Sequence, residues 1–243
     1  MKFRSRMALA AAVLTAIFPL AGARKPDKTP LVDAGTFTVF LKGQRVAEET
    51  FRIEQNSSGS TLTSEFKSET GPKAAQKAEL LITSAGDLRR YTWQELSPEK
   101  AQIVVEPSEQ FLLEHITPAP PGHAVEQPFF LPLSTMILDD YFFSQREVLL
   151  WRYLAQSCPG GKLEGCHLPR TQFGTISPQQ HAALVVTIEY GGTENVKMGG
   201  AGRALSRFTL QTEQDAPWVL YVDADLKLVR ISIASEQTEV VRP

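Results

Sequence analysis

The sequence predicts an α+β fold that is mainly β: a large antiparallel sheet with one or two short helices packed against its concave side. Three observations carry this. Apolar side chains alternate at a period of two between Gly, Pro, Asn and Ser breaks, from Gly35 to Ile116 and again from Gln172 onward. Breaker-free apolar sequence of helical length is confined to one insert, about residues 134–155. The 243 residues are 42 % hydrophobic and 21 % charged, which is a globular composition. With 25 Lys+Arg against 27 Asp+Glu there is no basic excess to hold a nucleic acid.

The first 23 residues have the build of a cleaved signal peptide. Lys2, Arg4 and Arg6 precede the apolar stretch Met7–Leu20, and Ala21-Gly22-Ala23 supplies the small residues a signal peptidase accepts. No cysteine stands at the cleavage point, so a lipid anchor is not expected. No later run reaches the eighteen or so apolar residues that a spanning helix needs. Residues 24–243 then read as one β-rich domain, exported to the periplasm and without a membrane span. Cys158 and Cys166 flank a segment with three glycines and a proline, which can bend its ends together into a disulfide in an oxidising compartment. A metal site using Cys166 and His167 is the rival, but no second Cys-His cluster is present to complete it. We therefore expect no metal and no cofactor.

The first strands are read at Gly35–Leu41, Val46–Ile53, Leu62–Phe66, Ala78–Ile82, Leu88–Leu96, Ile103–Val105 and Phe111–Leu113. The turns between them are too short for a crossover, so the sheet should be a meander. Six of the sixteen prolines fall from Pro107 to Pro132, where regular structure is expected to stop. Beyond them, Ser134 or Thr135 could cap a helix through Met136–Phe143, with a second helix over Glu147–Leu154; over Phe129 to Leu154 as a whole, Asp139, Asp140, Gln145, Arg146 and Arg152 are the polar face. Strands resume at Ala183–Tyr190 and Arg203–Thr212. The final hairpin is Trp218–Val222 and Leu228–Ile233 about the turn Asp223-Ala224-Asp225.

No catalytic constellation stands out. His115, His123, His167 and His181 share no spacing suited to a zinc pair, and Ser134 lacks the Gly-x-Ser-x-Gly elbow. Asp139 and Asp140 are adjacent and would point about 100° apart on a helix. Gly199-Gly200-Ala201-Gly202 completes no nucleotide motif, and Asp223 and Asp225 are explained by a turn. What does stand out is an apolar excess. Phe129, Phe130, Leu133, Ile137, Tyr141, Phe142 and Trp151 crowd one segment, facing sheet residues such as Trp93 and Trp218. They form either a filled core or the lining of a hydrophobic cavity. A twelve-carbon chain would offer roughly 9 kcal/mol of burial before ordering costs. The expected function is therefore a non-enzymatic binding or carrier protein for a lipid or another hydrophobic molecule. The alternative is an envelope scaffold or assembly factor that holds a protein partner through a sheet edge or the Pro-rich loop.

The pattern is also familiar. The strand Gly35–Val39 is followed by Glu49-Thr50-Phe51-Arg52-Ile53, then by Pro128-Phe129-Phe130-Leu131-Pro132 leading to Leu138–Phe143, and the chain closes on Trp218–Ile231. This resembles uncharacterised exported families of Gram-negative bacteria that share the half-barrel of the lipoprotein-carrier proteins, a strongly curved antiparallel sheet wrapped around short helices. The resemblance implies a periplasmic protein that shields or ferries an acyl chain, with its helices as a lid over the cavity. It covers most of the mature chain, but its motifs are generic and transfer no functional residue. The Cys158–Cys166 insert departs from the pattern.

Overall fold

The computed structural model describes residues 29–71, 74–158, 163, 165–213 and 216–243; the segment expected to be a signal peptide lies outside them. Eight strands make a first meander: β1 (Leu31–Leu41), β2 (Gln44–Asn56), β3 (Gly59–Ser68), β4 (Ala75–Thr83), β5 (Leu88–Ser97), β6 (Gln102–Ser108), β7 (Phe111–Thr117) and β8 (Val125–Phe129). After a two-residue strand, β9 (Met136–Ile137), comes the helix α1 (Ser144–Ser157). A second meander follows: β10 (Thr171–Ser177), β11 (Ala182–Met198), β12 (Ala201–Thr212), β13 (Trp218–Val222), β14 (Leu228–Ile233) and β15 (Thr238–Val241). All belong to one sheet, in the order β8 to β1, then β15 to β9. Every pairing is antiparallel except β9 with β10, where α1 lies in the crossover.

Connectivity alone forces this sheet to curl. β8 and β9 stand at opposite ends of the strand order, yet only residues 130–135 separate them. Laid flat, the fourteen strand spacings would put the two edges about 67 Å apart. The linker reaches at most about 25 Å. The edges are therefore brought round toward each other without joining as a ladder. Side chains bridge the seam: Gln127 Nε2 donates to the His181 carbonyl at 3.0 Å, and His181 Nδ1 lies 2.9 Å from Glu114 Oε2.

The inner faces of both meanders and α1 form one core, which includes Phe37, Tyr91, Leu149, Tyr153, Phe208 and Ile231. Leu149, Leu150, Tyr153 and Leu154 supply one buried side of the helix, and the Tyr153 ring meets Phe173 and Phe208 edge-on at 6.5 and 6.2 Å. The half-barrel is thus occupied by its own helix.

Three expectations need correction. Met136–Phe143 is not helical: Met136 and Ile137 pair with Thr175 and Ile176, and Thr135 Oγ1 donates to the Pro132 carbonyl rather than capping a helix. Among the described residues a single α-helix is present, beginning at Ser144. Regular structure stops in only part of the Pro-rich region: residues 118–124 and 130–135 are irregular, but Pro107 lies within β6, and Pro128 lies in β8, the edge strand, where a missing N–H costs no ladder bond. Finally, Asp139, Gln145 and Arg146 are buried, not solvent-facing. Cys158 and Cys166 are joined by a disulfide, with Cα atoms 5.6 Å apart.

Candidate functional site

The helix positions a cleft as well as a core. Val148, Trp151, Arg152, Ala155 and Gln156 recur at the i, i+3, i+4, i+7, i+8 spacing of one helical face. That face looks into a half-open cleft of about 310 Å³, whose opposite wall includes Val32, Ile53, Ile82 and Met136. Trp151 is anchored there, because its Nε1 donates to the Leu226 carbonyl at 2.7 Å. Arg152 crosses toward the β4–β5 turn, donating from Nη1 to the Gly86 carbonyl at 2.5 Å and to Met136 Sδ at 3.1 Å. Burial lowers the Arg152 pKa and Asp87 partly restores it; a guanidinium nonetheless stays charged at any ordinary pH.

A larger concavity of about 480 Å³ lies on the outer face of β2 to β5. Thr50, Arg52, Thr63, Glu65, Lys77 and Glu79 line it, and all belong to the solvent-facing set of their strands. Its lining side chains are mostly polar or charged. An apolar ligand would gain little burial there.

The N-terminal end of α1 is embedded in polar side chains that the core encloses. Phe143 stands at the cap position without a side-chain cap. Glu49 takes over from β2, accepting from Phe143 N at 2.7 Å, Ser144 N at 3.2 Å and Ser144 Oγ at 2.5 Å. A carboxylate at this end satisfies orphan donors and complements the helix dipole. Burial nevertheless outweighs these bonds and pushes Glu49 up to about 7. Asp139 accepts from Tyr91 Oη at 2.6 Å and Gln179 N at 3.0 Å, and burial raises it too. Arg146 donates to the Asp139 and Phe142 carbonyls and stacks over Trp218 at 4.7 Å.

One turn on, Glu147 accepts from Leu228 N at 3.3 Å, while its Oε2 has no hydrogen-bond partner among the described residues. Burial first, and the neighbouring Asp33 charge second, push Glu147 up to about 9. Burial would raise Asp33 as well, but hydrogen bonds from Arg242 and Lys227 prevail and hold it at about 2. The Asp33–Arg242 pair is a two-pronged bridge at 2.7 and 2.8 Å. These groups tie α1 to strands of both meanders. The histidines lie elsewhere: His115 Nε2 and Nδ1 face Glu106 and Glu126 at 3.5 and 3.2 Å, and His181 faces Glu114. Neither imidazole has a hydroxyl or thiol hydrogen-bond partner among the described residues.

The nine apolar residues singled out by the sequence divide three ways. Phe129, Ile137, Phe142 and Trp93 are buried in the core, and Leu133, Trp151 and Trp218 are packed against it half-buried. Phe130 (84 % exposed) and Tyr141 (44 %) are outside, so neither lines an interior cavity. Phe130 follows the last residue of β8 and turns outward, meeting Phe111 at 5.7 Å; Tyr141 lies against Phe66 at 5.1 Å. Of the nine, Trp151 lines the 310 Å³ cleft and Trp218 a crevice of about 70 Å³ beside Arg146. Val148 and Ala155 were legible only as helical spacing and were not singled out, and Arg152 read as part of a polar face rather than as cleft lining.

No protein-family model and no curated protein sequence matches the chain. Among solved structures, the chain is similar to a β-barrel-like protein of a domain of unknown function, DUF1849, from Brucella abortus. The TM-score is 0.55 at 8 % sequence identity, over 88 % of this chain and 94 % of that one. The likeness is one of fold. It supports the curved, unclosed, mainly β architecture and brings no functional residue with it.

Proposed function

We propose that this chain is an exported periplasmic protein that binds a lipid or another apolar molecule without enzymatic chemistry, in the cleft beside α1. One observation carries the reading: Trp151 and Ala155 present a helical face that the sheet leaves partly uncovered, across from Val32 and Ile82, with the buried Val148 and Ile53 behind them. A volume of about 310 Å³ falls at the lower end of the roughly 300–1,000 Å³ range of small-molecule sites. Because α1 already fills the half-barrel, the cleft limits the cargo to about one chain unless the helix moves. The disulfide is compatible with export. Among the described residues no helix is long and apolar enough to cross a membrane.

The test is titration of the delipidated protein with a fluorescent fatty acid. Saturable one-to-one binding is expected, and Ala155→Trp, which fills the cleft from an exposed helix position, should abolish it. Absence of saturable binding, or binding indifferent to Ala155→Trp, overturns the reading. A second reading, an envelope scaffold, is favoured by the exposed edge of β8, where Val125 and Phe130 face solvent. It requires co-purification with an envelope protein that Phe130→Ser abolishes and Ala155→Trp leaves intact.

A further inference from the structure

The cleft is not uniformly apolar, and Arg152, the cation among its described lining residues, is the informative part. A guanidinium carries five N–H donors in a planar fork. Arg152 spends Nη1 on the Gly86 carbonyl and Met136 Sδ, which fixes the plane of the group. Nη2 and Nε have no protein hydrogen-bond partner among the described residues, and no carboxylate lies within ion-pair distance. Asp87 is the acid whose field reaches it. Elsewhere in the molecule, half-buried arginines are matched: Arg242 bridges Asp33, and Arg230 bridges Glu239 at 2.6 Å. Among the described residues, the more deeply buried Arg146 also leaves Nε unpartnered, but Arg152 is the arginine that lines the 310 Å³ cleft with two donor nitrogens of its fork unspent.

We infer that the cleft takes a single-chain fatty acid whose carboxylate is gripped by Arg152 while its chain lies against Val148, Trp151 and Ile53. This deepens the proposed function and rests on it. A carboxylate matches the planar fork as a two-pronged acceptor. At about 30 Å³ per methylene, near the liquid volume of a water molecule, 310 Å³ holds roughly ten carbons. Gln156 and Ser84 also line the cleft and offer further polar contacts.

The experiment is calorimetric titration of the delipidated full chain with decanoate and with decan-1-ol, which differ only at the head. A hydrogen-bonded charge pair predicts that decanoate binds roughly tenfold tighter or more, with the ratio falling as salt rises. Arg152→Gln should erase the ratio, and Arg152→Lys should retain part of it. Should Arg152→Gln fail to fold, judged by its thermal melt, the wild-type ratio and its salt dependence decide alone. Equal affinities in the wild type overturn the head-group assignment and leave the cleft reading standing. Binding of neither molecule overturns both.

Discussion

Replacing Asp33 by Asn tests whether the two meanders are held together where the chain's first and last strands meet. Asp33 is 3 % exposed, and its two oxygens accept from Arg242 Nη1 and Nη2 at 2.7 and 2.8 Å; Lys227 Nζ is 3.0 Å away. Arg242 also donates to the Ala34 carbonyl and lies over the Phe51 ring at 5.1 Å. Gly35 leaves room for it, since a Cβ there would fall 2.7 Å from Arg242 Nε. Removing one partner of an enclosed ion pair costs about 3–5 kcal/mol, because the other charge stays buried and unpaired. Arg242 and Lys227 keep part of their contact with water, so about 2–3 kcal/mol is the better figure. For a domain of this size that lowers Tm by about 4–12 °C.

The assay is urea unfolding of both proteins across pH. Held at about 2, Asp33 sits below its unfolded value, so its contribution is complete above about pH 4. It is lost as pH falls through about 2. The gap between wild type and Asp33→Asn should therefore be widest near neutrality and close on acidification. A gap below about 1 kcal/mol at pH 7, or one that does not shrink toward pH 2, refutes the argument.

Three further outcomes follow from the same reasoning. Glu147, pushed up to about 9, keeps its proton in the folded state where the unfolded chain has lost it, so stability should decline as pH rises from about 4.5 to 9; Glu147→Gln should flatten that decline in thermal melts. Gly59→Ala should cost about 2 kcal/mol or more in urea unfolding, because φ is +144° and a Cβ would fall 2.0 Å from the Ile82 carbonyl oxygen. Phe130→Ser should stay within about 0.5 kcal/mol of wild type, since the ring is outside the core.

The strands were legible because their signal is local. Alternation in Phe37, Val39 and in Phe51, Ile53 needs only the pleat, and a glycine turn between them leaves an antiparallel neighbour as the short connection. Met136–Ile137 was not legible: two apolar residues fit a helix or a strand equally, and pairing with β10, about forty residues on, decided the matter. The same limit hid the cleft, where Arg152 read as solvated surface until the β4–β5 turn was seen to meet it.

The amino-acid sequence thus determined the sheet, its meander order and the approximate place of the helix, because periodicity and turn length are properties of neighbouring residues. Only the tertiary structure decided which polar residues go inside. Ser144, Gln145, Arg146 and Glu147 look like an exposed first turn, yet the sheet closes over them. They are tolerable there because Glu49, Asp139 and the Leu228 amide meet most of their polar atoms. Those partners come from as far as 95 residues away in the chain. Solvation is lost on burial whatever the sequence says, and only the fold determines what replaces it.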